Sequence, residues 1–164
     1  MPDFSYEELS AVLRVDNGKV IWKVSRGSMK AGQVAGRYNP RGYLVVMYKE
    51  CGILAHRLVW LLTYGDWPAG MLDHANGVHD DNRIENLRIA TPAQNAANAK
   101  TPCHNTSGAK GVLPAKNGKW MARIKDHKKL RHLGTFATFE DAKAAYVRAA
   151  KEIFGEFAYS ERAK

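Results

Sequence analysis

Residues 71–98 read MLDHANGVHDDNRIENLRIATPAQNAAN, and their pattern predicts a strand, a loop, a second strand and a helix. The runs MLDH and NLRIA are short and largely apolar, whereas the stretch between them is polar and suits a loop. Thr91, Pro92 and Gln94 supply an N-cap, a first-turn proline and a capping box, so a helix should follow. Upstream, the run AHRLVWLLTYG predicts another helix, which Gly65 ends.

Asp73 and His74 stand at the end of the first predicted strand. Cleavage of a phosphodiester needs a base that deprotonates water and a cation that stabilises the leaving oxygen. Neighbouring side chains of a strand point to opposite faces, so this pair can act together only where the strand ends or bends. The glycine of HANG supplies that bend, and Asn95, one turn into the helix, offers an amide oxygen as a second metal ligand. Oxygen ligands with water suit Mg²⁺ or Mn²⁺ better than zinc.

The motifs D-H, D-N-R-x-E-N-L-R and T-x-x-x-N follow one another closely, and they resemble the HNH endonucleases of phages and mobile introns. The resemblance covers about residues 10–100 and implies a ββα-metal module. It implies that His74 is the catalytic general base, that Asp73 and Asn95 hold the metal, and that Asn86 braces the loop at the catalytic site. The last position is Asn instead of His, which is typical of the H-N-N variant of this family.

Several residues near this motif have two possible roles. Asn98 lies three residues after Asn95 on the same helix face and is the alternative metal ligand. His56 could contact DNA or be a structural histidine. Arg83 and Arg88 could hold phosphate or pair with neighbouring carboxylates. Those carboxylates are Asp80, Asp81 and Glu85.

The net charge of +9 and the sequence pI of about 9.6 favour a polyanionic partner. Most of the positive excess lies beyond residue 100. In the run KWMARIK (119–125) the side chains alternate, so Trp120, Ala122 and Ile124 should face a core while Arg123 and its neighbours form an exposed basic face. The predicted partner of this face is double-stranded DNA, whose phosphates attract Lys and Arg.

The stretches KGV, KWMARI, LGTF and FEDAKAAYVRAAKEIFGEFA, within about residues 108–158, resemble the plant ethylene-response-factor (Apetala-two) DNA-binding domain. The resemblance implies three strands packed on a helix, with DNA bound on the sheet. The first strand carries Leu113, Pro114 and Ala115 in place of Arg and Trp, which favours phosphate holding over base readout. The residues predicted to contact DNA are Lys110, Lys116, Arg123, Lys125, Lys128, Arg131, His132, Arg83 and Arg88.

These patterns predict an α+β fold: an N-terminal β-rich segment with a ββα-metal HNH module, then a small three-stranded antiparallel sheet packed on one helix. The predicted domains are an HNH domain at 1–100 with its core at about 70–100, a linker at 101–108, and a DNA-binding domain at 109–160. No apolar run reaches the roughly 18 residues that span a bilayer, and the start is not signal-like. A cytoplasmic protein is therefore expected, in a bacterial host cell if a phage encodes it.

The favoured function is a metal-dependent DNA endonuclease of phage or homing type, a monomer with no small-molecule cofactor and no membrane partner. The alternative is a catalytically inactive DNA-binding regulator that retains a vestigial HNH fold. An RNA-binding protein is disfavoured because single-stranded RNA readers present aromatic side chains, and the basic face has none. Cys51 and Cys103 form no CxxC pair, which indicates reduced thiols.

Overall fold

The structure is a computed structural model that describes residues 4–101, 105–126 and 129–159. The predicted DNA contact Lys128 and the second cysteine, Cys103, lie outside the described residues. Helices and short antiparallel sheets alternate along the chain, so the predicted α+β class is confirmed. No helix in the described part of the chain is both long and apolar enough to cross a membrane.

The chain divides into two compact units, Met1–Ala90 and Thr91–Lys164. The division falls between the second strand of the predicted ββα module and its helix, whereas the sequence predicts a domain boundary after that helix. The predicted limits of the domains stay a prediction.

The first unit contains two helices and three small antiparallel sheets. The sheets pair β1 with β2, β3 with β4 and β5, and β6 with β7. A short 3-10 turn at Ile84–Asn86 precedes the last strand. The bounds are α1 Tyr6–Val12, β1 Leu13–Asp16, β2 Lys19–Trp22, β3 Arg37–Tyr38, β4 Leu44–Tyr48, β5 Cys51–Leu54, α2 Ala55–Tyr64, β6 Met71–His74 and β7 Leu87–Ala90.

Helix α1 begins the N-terminal segment, which the sequence predicts to be rich in β-strands. Ser5 caps the helix, because its hydroxyl accepts a hydrogen bond from the Glu8 backbone N–H at 3.2 Å. Leu9 points into the core and is fully buried, so it belongs to an amphipathic helix. Val12 ends the helix and β1 begins at the next residue.

Helix α2 lies at the centre of the core of the first unit. Leu58, Val59 and Leu61 are buried among residues of α1, β1, β2, β4 and β5. As predicted, the helix ends at Gly65, whose φ of 84° lets the backbone turn in the left-handed region. This packing fixes the first turn of α2, which carries His56, against the hairpin β6–β7.

The second unit contains the helix of the predicted ββα module, then a three-stranded sheet and a long helix. The order in the sheet is β10-β9-β8, all antiparallel, as the sequence predicts. A capping box at Thr91 begins the first of these helices at the predicted place, and Thr138 caps the long helix. The bounds are α3 Pro92–Asn98, β8 Val112–Pro114, β9 Trp120–Asp126, β10 Lys129–Phe136 and α4 Phe139–Phe154.

Small residues let α4 pack closely on the sheet. Ala122 and Ala142 are fully buried in the core of this unit, and Trp120 meets Phe139 edge-on at 5.1 Å, which confirms the predicted core position of that tryptophan. Gly111 has a φ of 65°, and a Cβ there would overlap the ring of Tyr146. Only glycine therefore lets the chain enter β8 this close to α4.

Candidate functional site

The candidate site lies at the open end of the hairpin β6–β7. Asp73 and His74 are the last residues of β6 and are only 5% and 3% exposed. In the register of the hairpin, Asp73 lies opposite Arg88 and His74 opposite Leu87. Buried polar groups are costly unless they are hydrogen-bonded, so the partners of this pair define the site.

The chain turns immediately after His74. The Gly77 N–H donates to the His74 carbonyl at 2.7 Å, and Gly77 adopts a φ of 64°, which glycine tolerates without strain. The Ala75 N–H donates to the Asn86 carbonyl at 2.8 Å. The predicted bend after the Asp73–His74 pair is therefore present, and it ends the strand at these side chains.

The side chain of Asn86 ties together the loop that follows. Its Oδ1 accepts from the Asn76 N–H at 2.9 Å, while its Nδ2 donates to Asn76 Oδ1 at 3.0 Å and to the Asp81 carbonyl at 2.6 Å. Asn86 is 7% exposed. The amide of Asn86 thus ties Asn76 and Asp81, two separate positions of the loop, to the start of β7.

Asn82 holds the imidazole of His74. The two side chains are buried, and His74 Nε2 lies 2.9 Å from Asn82 Oδ1. Because an amide oxygen only accepts, Nε2 carries the hydrogen, and in the neutral ring the lone pair is then on Nδ1. The sequence alone does not single out Asn82, because its neighbours Asp80 and Asp81 offer acceptor oxygens in the same polar run.

Three histidine rings and a tyrosine ring lie together beside this hydrogen bond. His56 meets His74 edge-on at 5.2 Å and Tyr43 at 5.7 Å, and Tyr43 stacks on the exposed His79 at 4.3 Å. Burial lowers the pKa of His56 to about 3 and also lowers the pKa of His74, where the hydrogen bond that Nε2 donates to Asn82 opposes the effect. Both rings are therefore neutral at neutral pH, and burial favours the structural reading of His56.

Two arginines of the loop and hairpin are engaged with carboxylates. Arg88 places Nε 3.0 Å and Nη2 2.9 Å from Asp73 Oδ2. Arg83 binds both oxygens of Asp81, at 2.8 and 2.7 Å, and these bonds lower the pKa of Asp81 to about 2. Pairing of Arg83 with Asp81 was one of its two predicted readings, whereas pairing of Arg88 with Asp73 was not foreseen.

The predicted ligand Asn95 and its alternative Asn98 both lie on helix α3 of the second unit. Asn95 is half-buried, and Asn98 is only 3% exposed. The capping box at Thr91 fixes the start of this helix, where the Asn95 N–H donates to the Thr91 carbonyl at 2.9 Å. The sequence therefore predicted correctly that α3 begins one turn before Asn95.

The outer face of the three-stranded sheet is basic but not uniformly so. Arg123 lies opposite His132 in the register, and Lys125 follows on the same face, all three exposed. Arg131 pairs with Ile124 and so belongs to the opposite face, where it also lies 3.4 Å from Asp126. The basic face also carries apolar side chains, namely Leu113, Met121 and Leu130.

Lys110 and Lys116, two further predicted DNA contacts, lie outside the strands. Lys116 is exposed in the short 3-10 turn before β9. The ammonium of Lys110 donates to the carbonyls of Ala96 and Ala97, at 3.0 Å each, and lies 5.4 Å above the ring of Tyr159. Burial lowers the pKa of Lys110, whose charge is directed at the C-terminal end of α3.

Comparison with known proteins agrees with this hairpin and loop. Residues 54–97 match the family described as HNH endonuclease. The chain is 33% identical over 105 residues to protein 3.8 of Escherichia phage T7, covering 63% of this chain and 86% of that protein. Residues 54–97 therefore carry an HNH endonuclease domain.

A second relative is 32% identical over 105 residues, covering 63% of this chain and 54% of its own length. It is named uncharacterized HNH endonuclease L560, of Acanthamoeba polyphaga mimivirus. No solved structure matches the chain significantly. The HNH match stops at residue 97, so the likeness of the second unit to the plant DNA-binding domain stays a prediction.

The donor atoms of the HNH module suit a hard cation. Within the described residues, no three His, Cys, Asp or Glu side chains are close enough together to bind a metal ion. The buried carboxylate of Asp73 at the strand end, supplemented by amide oxygens and water, is a donor set that Mg²⁺ and Mn²⁺ accept. These residues therefore fit a weakly chelated, water-rich metal site.

Proposed function

We propose that this HNH protein is a metal-dependent DNA endonuclease of phage or homing type that hydrolyses one phosphodiester bond at a time. The observation that carries the proposal is the buried His74 imidazole, held through Nε2 by Asn82 beside the carboxylate of Asp73. A base in a nuclease has to be neutral, oriented and adjacent to the group that balances the leaving charge. These three conditions meet at the end of β6.

His74 is the general base in this proposal. With the hydrogen on Nε2, Nδ1 accepts a proton from the attacking water, and the bond to Asn82 Oδ1 stabilises the imidazolium that forms. Attack of water on phosphorus breaks the bond to the 3′ oxygen, which leaves a 5′ phosphate and a 3′ hydroxyl. Asn86 acts on His74 indirectly, because its amide fixes the loop that carries Asn82.

Asp73 and Asn95, with Asn98 as the alternative to the latter, would hold Mg²⁺ or Mn²⁺. The ion would supply positive charge to stabilise the leaving 3′ oxygen. The chain itself contributes the carboxylate of Asp73, which Arg88 holds in place.

The second unit holds the DNA duplex in this proposal. Arg123, Lys125 and His132 are exposed on one face of the sheet, and Lys116 is exposed in the turn before β9. Exposed Lys and Arg side chains bind phosphates by displacing counter-ions, which needs no particular base sequence. This arrangement supports duplex positioning by the sheet and cleavage by the HNH module.

The test is cleavage of supercoiled plasmid with Mg²⁺ or Mn²⁺ by the natural chain, by His74→Ala and by the control variant Glu152→Ala, which changes an exposed residue of α4. We expect metal-dependent nicking by the natural chain and by Glu152→Ala, and a loss of about 10²-fold or more in His74→Ala. Equal nicking by His74→Ala would reject His74 as the base. If no protein nicks but all retard duplex DNA on a gel, the inactive DNA-binding regulator is the better description.

A further inference from the structure

Asp73 has a cationic partner inside the protein. Both Nε and Nη2 of Arg88 lie within 3.0 Å of its Oδ2, and the two residues face each other directly across the hairpin β6–β7. The side chains are only 17% and 6% exposed. Water and salt therefore screen this pair far less than a surface ion pair.

The burial of Asp73 explains why a partner is needed. A carboxylate removed from water loses the solvation that stabilises its charge, so an unpaired one would be disfavoured. Arg88 faces that carboxylate from the neighbouring strand, with two of its nitrogens close to Oδ2. The guanidinium therefore orients the Asp73 side chain and offsets the negative charge that a metal ion would use.

We propose that Arg88 is the resident counter-ion of Asp73 and keeps the affinity of the site for a divalent cation low in the absence of DNA. The inference rests on the proposed function, in which Asp73 is a metal ligand. A divalent ion that uses this carboxylate must share it with a guanidinium, and like charges close together repel. A DNA phosphate adds the missing negative charge, so metal and duplex bind cooperatively and each raises the affinity of the other equally.

The first test measures Mn²⁺ binding to the full chain without DNA, from the electron paramagnetic resonance signal of the free ion. We compare the natural chain with Arg88→Met, Arg88→Lys and Asp73→Asn. Arg88→Met should bind Mn²⁺ about tenfold more tightly, a gain of about 1.4 kcal/mol. Arg88→Lys should stay close to the natural chain because it keeps the charge.

The outcomes separate this inference from the proposed function. If folded Arg88→Met binds Mn²⁺ no more tightly than the natural chain, Arg88 does not limit metal affinity and the inference is overturned. If Asp73→Asn binds Mn²⁺ as well as the natural chain, the metal assignment of the proposed function fails instead. Circular dichroism reports whether each variant is folded.

A second test uses nuclear magnetic resonance of the unaltered chain and does not depend on the folding of Arg88→Met. During a Mg²⁺ titration, the Arg88 Nε–H resonance should move with the same midpoint as the Asp73 backbone amide, because both cations share Oδ2. Movement of the Asp73 amide with a stationary Arg88 Nε–H would contradict the inference.

The coupling to DNA is tested in a His74→Ala background, in which cleavage is expected to be slower by about 10²-fold or more. A short duplex should lower the midpoint of Mn²⁺ binding about tenfold. An unchanged midpoint would overturn the proposed cooperativity between metal and duplex.

Discussion

The hairpin site of the first unit and the basic sheet face of the second differ in how they use polar side chains. At the hairpin, Asp73, His74, Asn82 and Asn86 are buried, and each makes a specific hydrogen bond or ion pair. On the sheet, Arg123 and its neighbours are exposed. A buried network depends on every member, whereas an exposed charged face distributes its effect, so single substitutions should have very different consequences in the two regions.

The largest expected effect is a loss of stability of the first unit in acid. His56 has a pKa of about 3 in the folded chain, against about 6.5 when unfolded. Stability is therefore complete above pH 6.5 and falls as the pH drops toward 3, because only the unfolded chain takes up the proton. We expect a loss of about 3 kcal/mol between pH 7 and pH 4, measured by urea unfolding with tryptophan fluorescence.

Two variants control this measurement. His56→Gln cannot titrate and should lose clearly less stability over the same pH interval. His132→Gln removes an exposed histidine of the sheet and should behave like the natural chain. An identical acid response of all three proteins would show that His56 is not the group responsible.

The next effect contrasts the two regions directly. Asn86→Ala removes three hydrogen bonds and leaves buried loop groups without partners, so the free energy of unfolding should fall by about 2 kcal/mol. Arg123→Ala, on the exposed sheet, should change it by less than about 0.5 kcal/mol. If both variants lose a similar free energy of unfolding in the same denaturation experiment, the buried and exposed regions do not differ in their sensitivity to substitution.

A smaller effect, on the cleavage rate, tests whether Asn82 orients the His74 base in addition to stabilising the loop. Asn82→Ala deletes the acceptor for His74 Nε2, and the cleavage rate should fall about tenfold to a hundredfold at nearly unchanged substrate affinity. Asn82→Asp retains an acceptor oxygen and should recover most of that rate. Nicking of plasmid by Asn82→Ala at the natural rate would mean that the hydrogen bond does not orient the base.

The smallest effect belongs to single charges of the sheet. Arg123→Ala should weaken duplex binding by about 1 kcal/mol and lower the slope of log affinity against log salt by about 0.9. Lys110→Met removes one positive charge as well, but that ammonium binds the carbonyls of Ala96 and Ala97, so its salt slope should stay unchanged. Fluorescence anisotropy of a labelled duplex at several salt concentrations measures both. Equal salt slopes for the two variants would show that Lys110 contacts DNA as well.

The elements predicted correctly are those with local signals. These signals are the cap at Thr91, the ending glycine at Gly65 and the alternation in β9. Each acts within a few residues, and the structure has each element where its signal indicates. Helix α1 was missed although Ser5 and Glu8 have capping-box spacing. Its apolar residues also fit the pattern of a short strand, so the sequence alone does not decide between the two. In the structure the segment is helical and Leu9 packs in the core.

The candidate site could be predicted only in part. Asp73 and His74 are neighbours in the chain, so their proximity required no fold. The partners Asn82 and Arg88 depend on the path of the loop and the register of the hairpin, which the sequence does not specify. From the sequence alone, Arg88 looks like an ordinary surface charge. Only the register of the hairpin shows that it lies opposite the buried carboxylate of Asp73.

The contact of Lys110 with α3 has a consequence for grafting this module onto other proteins. The carbonyls of Ala96 and Ala97 are satisfied by Lys110, and the Ala97 carbonyl also accepts from the Tyr159 N–H at 3.3 Å. A chimera joined at residue 100 would keep the whole HNH motif yet strip α3 of both donors. A transplant of this nuclease module would have to carry its sheet and long helix with it, or supply new donors for the end of α3.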